Sequence, residues 1–86
     1  MIEKELKDLA NILTKTGLKS DEADNLVKKI HGEAMEKRTS VLRVIVDTAK
    51  GGADIDSIEF KLHTVIQNIG GIIKFGNEFP NLCSPV

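Results

Sequence analysis

Ala23, Val27, Ile30, Ala34, Val41, Ile45 and Ala49 recur at steps of three, four or seven. They form an apolar stripe at helical spacing that holds its phase for about eight turns. A second run, Ile55, Ile58, Leu62, Val65, Ile69, Ile72 and Ile73, follows across Gly51-Gly52-Ala53-Asp54. Two such segments around a glycine turn predict a helical hairpin. Read as one continuous helix from Ser20 to Lys50, the first arm would be roughly 45 Å long. A chain of 86 residues is too short to cover such an arm, so its unburied surface is expected to belong to a partner.

Ahead of this arm, Ile2, Leu6, Leu9, Ala10 and Leu13 share one face of a first helix, with Glu3, Lys4, Glu5, Lys7 and Asp8 opposite. Gly17 is the natural C-terminal cap, and Ser20 is the expected N-cap of the next helix, followed by Asp21 and Glu22. Gly32 falls inside the long helix, where a glycine costs about 1 kcal/mol relative to alanine. Phase favours continuity: Ile30, Ala34, Val41 and Ile45 share a face only if the helix runs through Gly32, with a kink or a close packing contact there. A strand over Val41-Leu42-Arg43-Val44-Ile45-Val46 is the rival reading, but no second segment offers it a partner. Asp56 with Glu59 three residues on predicts the start of the last helix. Gly70-Gly71 interrupts that helix near its end, and the proline-containing stretch from Asn77 onward reads as a tail anchored by Phe79 and Leu82.

The expected architecture is therefore all-α. It has a short N-terminal helix (about 2–15) and a long-armed antiparallel hairpin (about 20–50 and 55–74), in one domain over 1–76 with a 77–86 tail. Domains of this length bury only about 60–65% of their unfolded surface, which makes a dimer or higher oligomer the expected state. In the second half of the long helix, Met35, Leu42 and Val46 add a ridge beside the main stripe and Val44 lies on its other flank. A helix apolar over more than half its circumference is surrounded. Phe60 projects from the polar side of the last helix, near His63, Gln67 and Lys74, as interface anchors commonly do. Met35, Leu42, Val44, Val46 and Phe60 are thus the candidate oligomer or partner surface. Asp24, His31 and Arg38 form a polar line at seven-residue spacing along the edge of the stripe. They would either set register against a neighbouring helix or, with Lys37 or Arg43, hold a nucleotide or other small anion between subunits.

Composition narrows the function classes. Lys and Arg total 12 against 13 Asp and Glu, a formal charge of −1, so no global field draws the chain to nucleic acid or anionic lipid. Thr16-Gly17-Leu18 has a helix-turn-helix spacing, yet the following helix opens with three carboxylates among Asp21-Glu22-Ala23-Asp24, which phosphates would repel. No phosphate-cradling loop, nucleophile signature or paired metal-ligand spacing is present, so no cofactor, metal or catalytic group is expected. His31, His63 and Cys83 are scattered. The single Cys83 fits a reducing compartment, and the N-terminal residues have no signal-peptide core. No apolar run approaches the ~20 residues of a membrane span. A cytoplasmic, non-catalytic regulator, adaptor or inhibitor acting through protein–protein contacts is the expectation, with an anion binder and a DNA-binding regulator behind it.

Overall fold

The computed structural model describes residues 2–51 and 57–85, and only the backbone of residues 49, 58 and 59. Among the described residues it contains five α-helices, one 3-10 turn (Pro80–Cys83) and no strand. The helices are α1 (Ile2–Lys15), α2 (Ser20–Lys37), α3 (Val41–Lys50), α4 (Ile58–Ile69) and α5 (Ile72–Glu78). Residues 41–46 are thus helical, and the strand reading falls.

The first helix ends as its sequence implies. The Leu18 amide donates to the Leu13 carbonyl at 3.2 Å across Gly17, whose φ is 110°, a six-residue closing bond typical of glycine-terminated helices. The start of α2 differs from expectation. Lys19, not Ser20, is the cap residue, and its amide donates to Glu22 Oε1 at 3.1 Å, which is the carboxylate half of a capping box.

The single helix from Ser20 to Lys50 is in fact two. Gly32 lies within α2 without interrupting it, and a Cβ built there would meet nothing within 4 Å, so no close packing contact exists at that position. The break falls six residues later. Arg38 takes the left-handed conformation (φ 55°, ψ 46°), and the Thr39 amide donates to the Ala34 carbonyl at 2.9 Å. Ser40 is extended and its Oγ accepts from the Arg43 amide at 3.0 Å, capping α3. A left-handed non-glycine residue costs about 1–2 kcal/mol, offset here by the closing bond, by the new cap and by the packing of α3 back on α2. Ala23, Val27, Ile30, Ala34, Val41 and Ile45 are all buried nonetheless. The seven-residue step from Ala34 to Val41 keeps phase along one helix, and it serves equally well when two helices face a shared core.

The same break removes the argument for a surrounding partner. Val41, Val44 and Ile45 are buried and Leu42 packs against the core at half burial, covered by α2, α4 and the 3-10 turn, all of which contact α3. The chain is nearly isometric, 27 × 26 × 24 Å, instead of an elongated hairpin.

Helix α4 is capped by Ser57, whose Oγ accepts from the Phe60 amide at 3.2 Å. The expected cap at Asp56, the hairpin turn at Gly52-Ala53-Asp54 and Ile55 lie outside the described residues. Leu62, Val65 and Ile66 of α4 are buried and Ile69 is half-buried. Gly70 (φ 124°) and Gly71 (φ 102°) then end the helix, with the Gly71 amide donating to the Ile66 carbonyl at 2.9 Å. Both angles lie where side chains are disfavoured, so the pair resets helical phase. As a result Ile72 and Ile73, expected on the inner face, are 53% and 82% exposed, while Phe75 and Phe79 turn inward with ring centroids 4.9 Å apart.

The expected C-terminal tail is packed structure. Helix α5 runs to Glu78, the 3-10 turn follows, and Leu82 is fully buried. Helix α1 contacts α2, α4 and the 3-10 turn, so the aliphatic core around Leu9, Leu13, Ile30, Ile45, Leu62 and Ile66 is closed within one chain. Each such side chain contributes roughly 1.5–3 kcal/mol on full burial.

Candidate functional site

Two of the grooves among the described residues and one buried polar contact bear on the candidate residues. The first groove, about 330 Å³, lies where α3, α4 and α5 meet and is lined by Val46, Lys50, Phe60, His63, Ile66, Gln67 and Ile72. Each element supplies its part for a local reason. Helix α3 ends at Lys50, so its last turn presents Val46 and Lys50 to one side. Phe60 and His63 are one helical turn apart on α4, and their rings sit 5.4 Å apart, tilted by 55°. The glycine pair delivers Ile72 to the rim, with Ile73 exposed beside it. The volume is at the lower end of small-molecule sites, and its floor is apolar.

Of the candidate surface residues, Val46 and Phe60 line this groove at half burial. Met35 is 52% exposed on α2 but does not line it. Leu42 packs against the core. Val44 is buried within the chain at 4% exposure: once α2 and α3 are separate helices, the flank carrying Val44 faces the interior. Lys50 and Ile66 were not singled out by spacing, and spacing placed Ile72 and Ile73 on the inner face instead of the surface. The signal for the isoleucines was Gly70-Gly71, since two glycines in a row mark a place where helical phase is lost.

The second groove, about 380 Å³, runs between α1 and α2 and is lined by Glu3, Leu6, Lys7, Ala10, Asp24, Val27, Lys28 and His31. It brings Asp24 and His31 of the polar line together but not Arg38, which is exposed at the left-handed end of α2. The seven-residue spacing held only for a continuous helix. The residues proposed to assist Arg38 are likewise spread out: Lys37 is exposed, and Arg43 pairs with Asp47 at 3.4 Å on the surface of α3. With acidic and basic side chains mixed along it, the α1–α2 groove favours neither sign of ligand.

The buried polar contact ties the chain's first helix to its last turn. Glu5 is only 8% exposed, and its carboxylate accepts from the Asn81 backbone amide at 3.0 Å and from the Asn81 side-chain amide. Cys83 lies nearby at half burial. Burial first, and the Glu5 carboxylate second, push its thiol above the ordinary range, because both oppose formation of the thiolate. His31, His63 and Cys83 fall at three different places, and among the described residues no three His, Cys, Asp or Glu converge as a metal site would require. Among those residues, too, no helix is long and apolar enough to cross a membrane.

Comparison with protein-family models, with curated proteins and with solved structures finds no match.

Proposed function

We propose that this chain is a non-catalytic binding protein that acts through protein–protein contacts at the α3–α4–α5 corner. The observation that carries the reading is the exposure of Ile72 and Ile73, 53% and 82%, beside a groove floored by Val46, Phe60 and Ile66. An isoleucine left in water forgoes roughly 1.5–3 kcal/mol of burial. One such residue at the rim of an apolar groove, with the next in sequence exposed as well, is the pattern of an interaction site. A second copy of the chain is another occupant that such a face admits.

A photo-cross-linking residue at Ile73 tests the reading in the cells that make the protein. A discrete adduct is expected from that position, lost when Ile72→Asp is added and absent when the cross-linker stands at exposed Lys4 instead. Equal labelling from both positions, in a protein whose helicity is unchanged, would overturn it. An adduct of twice the chain's own mass, with a dimer seen by light scattering, would make the partner a second copy.

A further inference from the structure

We propose that the α3–α4–α5 groove seats an amphipathic helix that carries carboxylates alongside its apolar stripe. The inference rests on the reading of this corner as a binding face and adds the chemistry of the occupant. The groove's floor, Val46, Phe60 and Ile66, and Ile72 at its rim take apolar side chains, and its walls are the helices α3, α4 and α5. This is the arrangement in which a helix lays its apolar face into a groove. Charge selects among such helices. Among the described lining residues, Lys50 is the one permanently charged group, and the polar remainder, His63 and Gln67, can each donate or accept a hydrogen bond. No Asp or Glu lines the groove among those residues, and Lys50 makes no ion pair with any of them.

A partner carboxylate beside the stripe would meet Lys50 in a charge-assisted contact, whereas a basic partner would face it unpaired. The same reasoning disfavours a second copy docked face to face, since a two-fold contact sets each surface against itself and brings Lys50 toward its own equivalent. A bilayer also offers anionic groups, but it is flat, and a groove recessed beside Ile72 receives projecting side chains instead.

The test uses the full chain and two dye-labelled synthetic peptides of about five turns, with leucine at helical spacing and either Glu or Lys flanking the stripe. The Glu peptide is expected to bind about tenfold more tightly than the Lys peptide at ~0.05 M salt, and this preference should shrink severalfold at ~0.5 M. Ile72→Asp should abolish binding of both, and Lys50→Glu should invert the preference. Lys50→Gln, which removes charge without adding any, should leave the two peptides equal. Equal binding by both peptides to the unaltered protein, lost on Ile72→Asp, would overturn the acidic partner and leave the binding corner standing. Binding of neither, with the Ile73 cross-link also absent, would overturn both. Retention on vesicles containing phosphatidylserine without peptide binding would overturn the helical partner in favour of a lipid surface.

Discussion

Removing the Glu5 carboxylate should unfasten the first helix from the last turn, and the structure sets the size of the effect. Glu5→Ala leaves the Asn81 backbone amide, now bonded at 3.0 Å, without its partner, together with the Asn81 side-chain amide. A hydrogen bond to a charged group is worth about 1.5–3 kcal/mol net. Asn81 is exposed and Glu5 nearly buried, so water can replace the partner of the side-chain amide, and relief from desolvating the carboxylate offsets part of the rest. A net loss of about 2 kcal/mol is therefore expected, lowering the melting temperature of a domain this size by about 8–16 °C. Urea denaturation followed by circular dichroism would measure it, with exposed Lys4→Ala as a control expected to stay within about 0.5 kcal/mol. Asn81→Ala should cost less, because its backbone amide keeps the bond to Glu5, and the double variant should show a coupling of about 1 kcal/mol. A Glu5→Ala protein as stable as the control, or zero coupling, would refute the view that this contact fastens the two segments.

Two further outcomes follow from local geometry. Gly32→Ala should stabilise the protein by about 0.5–1 kcal/mol in the same urea assay, because the position is helical and the added methyl meets nothing within 4 Å; destabilisation would reveal a contact at this point. The Cys83 thiol, held up by burial and by Glu5, should be alkylated more slowly in the native chain than in the urea-unfolded one at the same mildly alkaline pH, and Glu5→Gln should narrow the gap. The sign for stability follows: a raised thiol value favours the protonated form, so its contribution is complete below the ordinary value of about 8.5. It is lost as pH climbs through the higher native one.

Much of the core was legible because helical periodicity reports burial directly. Leu9, Leu13, Ala23, Ile30, Ile45, Leu62 and Val65 are all interior, and their spacing alone placed them there. Connectivity was less legible, and Arg38 shows why. The commonest stop signal is glycine, and the glycine in this stretch, Gly32, is accommodated within α2, while the real stop uses an arginine that only the closing bonds and the packing of α3 make tolerable. Thr39-Ser40, two weak helix formers with a capping hydroxyl, was the available cue, but the seven-residue step from Ala34 to Val41 masked it. At the candidate site, Val46 and Phe60 could be read as lying off the buried stripe. Val44 could not be placed correctly, because its burial depends on the turn at Arg38. Ile72 and Ile73 could not either, because their exposure comes from backbone angles at Gly70 and Gly71 and not from their own hydrophobicity.

The turn at Arg38 also decides how many things this molecule can touch at once. A rod of roughly 45 Å could hold two bodies apart at its ends and work as a tether. Folded back on itself into a body about as wide as it is long, the chain reaches across no such gap. On the proposed reading, binding at the α3–α4–α5 corner would therefore act by occupancy, with rival ligands excluding one another there instead of being brought together.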